Sequence, residues 1–419
     1  MRWARIVTLG AAGVLATVVF RPEPARAADR PAPGKPAGTD AAVRYSAGET
    51  PSWKHQKPIA LKGLEVSLSS PLLVARDKGY LWFPSLTRLS SGHLISVMSN
   101  YADAHTNSST ALASWSSDRG LTWTRPTAAF YGDSGLSLPS GDLVLLPYYL
   151  YPRGEGKLAA PYQVCHARER KLERIQEGLS VSGWPRPDRS FAPELGLAGF
   201  VFNGQVVPLK EGGYLATLYG YFKGAARYNL VAAESRDGLQ WKIRSLIADE
   251  NCKLKGSEGP CESATCRLKD GRLMCIFRLA SAVPYGQCFS SDDGKTWTEP
   301  QAMANAFSVQ PSLAVMKDGM LILSGGRPGI FLWFNADGLG KDWQRIDLMA
   351  HHNACRPEEA ITAAQTSAYT EVVSLDDTQS LCIYDRIPNG WSPIPAGSKE
   401  TNSVWVVAVK LLTPPPAIR

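Results

Sequence analysis

The chain has 419 residues and a formal net charge of +7 at pH 7, with 44% hydrophobic and 20% charged residues. Without the first 27 residues, which carry four Arg and one Glu, the charge falls to +4. This charge is too weak to indicate a nucleic-acid partner. The length alone would allow two domains.

The first 27 residues have the order of a secretory signal peptide. Arg2 precedes an apolar run from Ile6 to Phe20, and a short polar stretch then ends at Ala27. A membrane anchor needs about 20 apolar residues, and this run is shorter and is followed by Arg21. We therefore expect cleavage after Ala27, a secreted or periplasmic protein, and no stable membrane anchor.

Residues 28–55 are rich in Pro, Gly, Ala and charge, which predicts a linker, and we expect the folded domain at 56–415. The eight cysteines are compatible with disulfides in an exported protein, although their pairing stays open. No C-x-x-C pair occurs among them, so we predict neither a metal nor a cofactor. The run His351-His352-Asn353 is interpreted as a loop because neighbours on a strand point to opposite faces.

An eight-residue pattern, S-x-D-x-G-x-T-W, occurs at residues 116–123 and again at 290–297. Shorter or looser copies follow the same order at 235–241 and 335–343. In this pattern Ser and Asp can close a polar turn, and Gly can take the positive φ that the turn needs. The repetition predicts a repeat architecture.

A second repeated signal is a polar turn that is preceded and followed by a short apolar strand. Five such turns contain Gly92, Gly141, Gly213, Gly271 and Gly319, and the sixth is at 376–377. They predict six inner hairpins of an all-β protein, and residues 168–177 are interpreted as a solvated excursion despite their helical charge spacing. We expect residues 404–411 to pair with a strand near 61–68, because a closed sheet has no open edges.

In each hairpin, the start of the first strand and the end of the second lie at the same edge. Polar, charged and aromatic side chains are expected at that edge, namely Trp82, Asp103, Glu262, Arg278, Gln310, Arg327, Tyr369 and Asp385. Such convergence indicates a functional site. The alternative is a solvated funnel whose charges pair with one another.

The repeated pattern resembles the Asp box of the sialidase superfamily, whose members are six-bladed β-propellers. The resemblance extends over about residues 60–410, because Glu262, Arg278, Arg327 and Tyr369 follow the family's order. Asp103 and the pair Tyr384-Asp385 are matched more loosely. The first-blade Arg of the family is missing here, where Leu81-Trp82-Phe83-Pro84 stands, and Asp385 replaces the Glu that supports that Arg.

The resemblance implies a glycoside hydrolase that removes a terminal acidic sugar from a glycan or glycoconjugate and retains the anomeric configuration. Sialic acid is the main candidate for this sugar. Tyr369 would be the nucleophile, because a neutral phenol avoids the charge of the sugar's carboxylate, and Glu262 would take its proton. Asp103, its pKa raised by burial, would protonate the leaving oxygen. Arg278 and Arg327 would bind the carboxylate, with His105 as a further donor and with Asp385, Trp82 and Gln310 around the substrate.

Two other functions fit the same residues. One is a glycosidase or lyase that acts on another acidic sugar, such as a uronic acid, with Trp82 stacked on the ring. The other is a non-catalytic glycan-binding propeller, in which Tyr369 would be a core aromatic, Asp103 a turn former, and Arg278 and Arg327 structural ion-pair partners. The sequence leaves the oligomeric state open.

Overall fold

A computed structural model of the protein describes residues 52–103, 110–132, 134–138, 140–154, 156–184 and 200–413. The predicted signal peptide, most of the predicted linker and His105 lie outside these residues. In the described part, the regular secondary structure is almost entirely β-strand, with one α-helix. Within it, no helix has both the length and the apolar character needed to cross a membrane.

The first half of the described chain forms two sheets after three leading strands. The leading strands are β1 (Ile59–Leu61), β2 (Leu64–Leu68) and β3 (Leu72–Asp77). The first sheet contains β4 (Trp82–Arg88), β5 (Leu94–Ser99), β6 (Thr110–Ser116) and β7 (Thr127–Phe130). The second contains ten strands: β8 (Ser134–Ser137), β9 (Leu143–Leu146), β10 (Tyr151–Pro152), β11 (Leu158–His166), β12 (Lys171–Ser182), β13 (Phe200–Phe202), β14 (Val207–Pro208), β15 (Tyr214–Gly220), β16 (Asn229–Ser235) and β17 (Gln240–Ala248).

The second half forms three sheets. The third contains β18 (Ser263–Arg267), β19 (Leu273–Phe277), β20 (Pro284–Ser290) and β21 (Gln301–Phe307). The fourth contains β22 (Val309–Val315), β23 (Leu321–Gly326), β24 (Ile330–Asn335) and β25 (Gln344–Asp347). Helix α1 (Leu348–Cys355) follows, and β26 (Glu371–Ser374), β27 (Gln379–Arg386) and β28 (Asn402–Thr413) form the last sheet with β1, β2 and β3.

Strand pairing divides the described chain into six antiparallel units of four strands. The ten-stranded sheet contains two of them, β8-β9-β11-β12 and β13-β15-β16-β17, which are joined by a short parallel pairing of β12 with β17. The last unit takes its fourth strand, β2, from the beginning of the described chain. Val66 pairs with Leu411 and Leu68 with Val409, which confirms the predicted pairing of the last strand with residues 61–68.

The predicted inner turns join the first two long strands of each unit, as the six-hairpin pattern requires. The Gly residues at five of these turns have φ between 82° and 91°, where a side chain would be strained. Buried apolar side chains fill the space between consecutive units, and one such cluster includes Leu86 and Leu94 of the first unit with Leu381 and Val404 of the last.

The repeated eight-residue motif joins the third and fourth strands of its unit. In the copy at 290–297, Ser290 Oγ donates to Asp292 at 2.8 Å and accepts from the Gly294 N–H at 2.8 Å. Thr296 donates to Asp292 from its N–H at 2.9 Å and from its hydroxyl at 2.6 Å. Because antiparallel strands alternate in direction, these turns lie at the same edge as the inner turns, opposite to the predicted site.

Three expectations from sequence differ from the structure. Residues 351–353 lie in α1 and not in a loop, and Asp347 caps that helix by accepting from the Ala350 N–H at 2.8 Å. All eight cysteines are described, and each is a free thiol, so none forms the expected disulfides. The end of the predicted linker is already paired, since Lys54 O accepts from the Ser70 N–H at 2.9 Å. Residues 171–182, in contrast, form a strand, as expected of a non-helical excursion.

Replacing Asp292 tests what holds the motif turn. Hydrogen bonds from Thr296 lower the pKa of Asp292 to about 2, so its contribution to stability is present above the ordinary Asp pKa and is lost as the pH falls through about 2. We expect Asp292→Ala to lower the free energy of unfolding by about 1–2 kcal/mol at pH 7 and by less at pH 2, measured by urea unfolding. Asp292→Asn, which keeps an acceptor, should cost less. An equal loss at both pH values would show that the charge of Asp292 does not hold the turn.

Candidate active site

A cavity of about 180 Å³ lies at the edge of the sheets opposite to the motif turns. All six units contribute residues to its wall. Within a unit, these residues lie at the start of the first strand, at the end of the second strand or after the outermost strand. Most of these residues are aromatic: Phe83, Tyr101, Tyr131, Tyr148, Tyr149, Tyr219, Tyr228 and Tyr369. The others are Ser99, Ala102, Asp103, Glu262 and Gln310.

Tyr369 and Glu262 form a hydrogen-bonded pair in this cavity. The Tyr369 hydroxyl donates to Glu262 Oε1, and the Glu262 side chain is buried, with 5% of the residue exposed. Arg278 Nη1 donates to both Glu262 oxygens, at 3.0 and 2.9 Å, and lies 3.0 Å from the Tyr369 oxygen. The backbone N–H of Gln310 donates to Glu262 Oε2 at 3.0 Å. The structure therefore brings together the hydroxyl and the carboxylate that the sequence pointed to.

The surroundings of the pair keep the phenol protonated and the carboxylate ionised. Burial, together with the negative charge of Glu262, raises the pKa of Tyr369 well above its ordinary value. Burial alone would raise the pKa of Glu262, but the positive charge of Arg278 and the hydrogen bonds from Tyr369 and Arg278 outweigh it, so this pKa is lowered. Tyr369 can then lose its proton to Glu262 only as its oxygen forms a bond to carbon.

Arg278 faces carboxylates of the protein and not the cavity. Its Nη2 donates to Glu258 at 2.8 Å while its Nη1 contacts Glu262, and only 8% of the residue is exposed. A substrate carboxylate would have to displace one of these carboxylates to reach it. The arrangement makes Arg278 the residue that holds Glu262 in place and in its charged form.

Arg327 contacts Tyr369 from a different side. Its guanidinium lies over the Tyr369 ring at 5.4 Å and over the Trp391 ring at 5.0 Å, and its Nη2 donates to Ser367 O at 2.6 Å. Arg278, in contrast, approaches the Tyr369 hydroxyl. The structure therefore does not bring Arg278 and Arg327 together as a clamp that lines one pocket. Among the described residues, the charged side chains that line the cavity are Asp103 and Glu262.

Phe83, and not the neighbouring Trp82, lies in the cavity wall. Trp82 is 1% exposed, its indole N–H donates to Tyr101 O at 2.8 Å, and its ring stacks on Phe83 with centroids 4.7 Å apart. The prediction that Trp82 stacks on a sugar is therefore wrong, because the ring is buried. Phe83, with φ of 47°, lines the cavity and contacts the Tyr369 ring edge-to-face at 4.7 Å.

Asp385 lies beneath the cavity and binds no substrate there, because it is fully buried. It accepts from the Ser367 N–H at 2.8 Å, from the Thr366 hydroxyl at 2.9 Å and from the Phe83 N–H at 3.1 Å. Ser367 Oγ in turn accepts from the Tyr369 N–H at 3.2 Å. Asp385 therefore positions both Phe83 and Tyr369, and its predicted role as a substrate-binding residue is corrected to a positioning role.

Asp103 and Gln310 line the cavity, as the sequence predicted. Asp103 is exposed, so burial in the free protein does not supply the environment that we expected for a general acid. Burial and the charge of Asp103 together raise the pKa of Tyr149 to about 12, which reflects how near these two side chains lie.

Sequence reasoning missed several residues of the site. Glu258, Tyr131, Tyr228 and Trp391 lie in loops or at strand starts whose positions the turn pattern does not fix. The one available signal was the spacing of Glu258, which lies four residues before Glu262 in a Gly-rich segment.

No protein-family model matches the chain, and no curated protein matches its sequence. Among solved structures, the chain is similar to a protein of unknown function from Dyadobacter fermentans, with 17% identity and a TM-score of 0.61 over 83% of this chain and 99% of that one. It is similar to the Hadza microbial sialidase Hz136, with 15% identity and a TM-score of 0.52 over 79% of this chain and 65% of that one. A single-site mutant of NanB sialidase from Streptococcus pneumoniae gives 16% identity and a TM-score of 0.50 over 81% of this chain and 70% of that one. At these identities the likeness concerns the fold, which is sialidase-like.

Replacing Asp385 tests its positioning role. Asp385→Ala would leave the buried donors of Thr366, Ser367 and Phe83 without their acceptor, so we expect the free energy of unfolding to fall by about 3 kcal/mol in urea unfolding. The control is Asp377→Ala, which removes only an exposed ion pair with Lys317 at 3.7 Å and should cost less than about 0.5 kcal/mol. Equal losses in the two variants would exclude Asp385 as the residue that holds this part of the site.

Proposed function

We propose that this protein is a retaining glycoside hydrolase that removes a terminal sugar from a glycan. Tyr369 is the nucleophile, Glu262 its base, and Asp103 the acid that protonates the leaving oxygen. The observation that carries the proposal is the buried hydrogen bond from Tyr369 to Glu262 at the wall of a cavity that Asp103 also lines.

The reaction has two steps with balanced proton transfers. In the first, the Tyr369 oxygen bonds to the anomeric carbon and its proton passes to Glu262, while the bond to the leaving oxygen breaks and Asp103 gives that oxygen a proton. In the second, Asp103 takes a proton from water as the water oxygen bonds to the anomeric carbon. The bond from the sugar to Tyr369 breaks, and the phenolate recovers its proton from Glu262. Two displacements at one carbon retain its configuration.

Arg278 supports both steps from behind the pair. Its charge keeps Glu262 ionised before the reaction, and its Nη1 lies 3.0 Å from the Tyr369 oxygen, where negative charge develops when the sugar leaves. Glu258 holds the other edge of the guanidinium at 2.8 Å, so Arg278 cannot turn toward a ligand without losing that contact.

The lining favours a sugar without a carboxylate. Binding of sialic acid or a uronic acid places a negative charge in a cavity whose charged lining residues, within the described chain, are Asp103 and Glu262. The sialic acid implied by the sequence resemblance would depend on Arg327 alone for charge pairing. A neutral pyranose needs no such partner, and its C–H faces can pack on the aromatic wall. We therefore propose a neutral terminal sugar, with acidic sugars as the alternative to be tested. For a neutral sugar, the assignment of Tyr369 as nucleophile rests on its buried hydrogen bond to Glu262 and not on repulsion by a substrate carboxylate.

We also propose that the six units close into a six-bladed β-propeller. The proposal is supported by the apolar cluster shared by the first and last units and by the contribution of all six units to one cavity. Export and cleavage after Ala27 remain predictions from the sequence.

The catalytic assignment is tested by Tyr369→Phe and Glu262→Gln. Each should lower kcat/KM for an aryl glycoside by about 10³-fold or more, because the first removes the nucleophilic oxygen and the second its base. Tyr228→Phe is the matched control, since it removes a hydroxyl from the same lining and should change kcat/KM by less than about tenfold. A fluorinated glycosyl fluoride should label Tyr369 in the wild type, detected by mass spectrometry. A label on another residue would overturn the assignment.

The sugar class is tested with aryl glycosides of glucose, galactose, mannose, N-acetylglucosamine, glucuronic acid and sialic acid in both anomeric forms. We expect at least one neutral glycoside to be cleaved with a kcat/KM at least about 100-fold above the acidic ones, which corresponds to about 2.7 kcal/mol. Faster cleavage of the sialoside or of the uronide would contradict the neutral-sugar proposal and support the corresponding acidic sugar. Cleavage of none, with glycan binding intact in the wild type, Tyr369→Phe and Glu262→Gln, would leave a non-catalytic glycan-binding protein.

A further inference from the structure

We propose that a second aromatic cavity beside the candidate active site binds the next sugar of the glycan, on the leaving-group side. The existence of this site follows from its own lining, and its position on the leaving-group side rests on the proposed function. Its ligand is a pyranose unit that is linked to the terminal sugar, so the preferred substrate is an oligosaccharide.

The two cavities share one wall. Tyr131, Tyr148 and Tyr149 line both of them, and the second cavity, of about 90 Å³, then extends along β10, β11 and β12. Tyr148 and Tyr149 meet edge-to-face, with centroids 5.0 Å apart and planes at 89°, and Tyr131 meets Tyr148 at 5.7 Å. The Tyr148 hydroxyl contacts that of Tyr219, which fixes the wall from behind. A chain of two linked sugars can therefore contact a continuous aromatic surface.

The outer part of the second cavity has the groups that a sugar ring requires. Tyr151 supplies ring surface, and Arg174 supplies a guanidinium that is held over the Phe130 ring at 3.8 Å. Aromatic faces pack against the C–H face of a pyranose, while a guanidinium donates to hydroxyl oxygens around its edge. The second cavity has half the volume of the first, so it receives part of a sugar ring.

The position of Asp103 gives the direction of the glycan. Asp103 protonates the oxygen that joins the terminal sugar to the next one, so that oxygen must lie beside it. Tyr149 lines the active-site cavity together with Asp103 and also lines the second cavity. The glycan beyond the oxygen at Asp103 therefore passes Tyr149 and enters the second cavity. The terminal sugar stays beside Glu262 and Tyr369.

The test compares affinities for sugars of different length. Full-length protein with Tyr369→Phe, which cannot cleave, is screened on an array of methyl monosaccharides and their matched disaccharides and trisaccharides, and calorimetry then measures the best series. We expect the disaccharide to bind more tightly than the monosaccharide. Adding Tyr151→Ala or Arg174→Ala should lower this disaccharide-to-monosaccharide ratio by about 3- to 10-fold.

Two control variants match these changes. Tyr214→Ala removes a half-buried tyrosine that packs against the same apolar cluster as Tyr151 but lines neither cavity, and Lys171→Ala removes an exposed cation from the same strand as Arg174. Both should leave the ratio unchanged. A protein that binds both lengths equally, or a ratio that falls as much in the controls, would overturn the second site.

The outcomes for the second site and for the proposed function can be separated. If the wild type cleaves no glycoside but the ratio falls in Tyr151→Ala, the second site stands and the hydrolase proposal fails. If the wild type cleaves aryl glycosides but the Tyr369→Phe protein binds monosaccharide and disaccharide with equal affinity, the hydrolase proposal stands and the second site fails.

Discussion

The buried carboxylate of Glu262 is the constraint on which the rest of the site depends. A buried charge is destabilising by several kcal/mol unless charge pairing and hydrogen bonds offset it. Here the hydrogen-bond donors to the Glu262 carboxylate come from three different sheets. Arg278 directly follows β19, Gln310 lies in β22 and donates its backbone N–H, and Tyr369 lies just before β26 and donates its hydroxyl. The same contacts that make the burial tolerable therefore fix the ends of these sheets around one cavity and place a phenol beside a base.

Around this pair, the residues that carry the sequence resemblance to sialidases have contacts of their own in this structure. Phe83 stands in the cavity wall beside the position of the missing Arg, and Asp385 accepts from the Phe83 N–H and from Ser367. Glu258 occupies the edge of Arg278 that faces away from Glu262. Each contact is local, but together they hold Arg278 between Glu258 and Glu262, place Arg327 against Ser367 O and two aromatic rings, and leave an aromatic lining. A shared fold and motif order thus do not fix the substrate.

The features that could be predicted from sequence are those that local chemistry decides. The inner turns could be predicted because they need a positive φ, which Gly adopts without strain. The pairing of β28 with β2 could be predicted because an open sheet edge is unfavourable. Glu262 and Tyr369 could be placed together because strand ends alternate between two edges. Whether Trp82 or Phe83 enters the cavity depends on one backbone angle at Phe83 and on Asp385, which is 302 positions away in the chain. Glu258, the second carboxylate that Arg278 contacts, lies in a loop with no repeated sequence pattern, so the sequence does not predict this contact.

The proposed terminal-sugar cavity has no cation among its described lining residues, so it must obtain its affinity from contact area and hydrogen bonds. The wall of tyrosines offers ring surface for sugars and hydroxyls that donate and accept, and these interactions are short-ranged and little affected by salt. A single small cavity provides limited area of this kind, whereas two cavities that share Tyr131, Tyr148 and Tyr149 provide a longer surface without a second set of supporting residues. Selectivity in such a site depends on the shape and length of the glycan and not on its charge. On the proposed function, Arg278 can be committed to holding Glu262 because binding of a neutral terminal sugar does not require it.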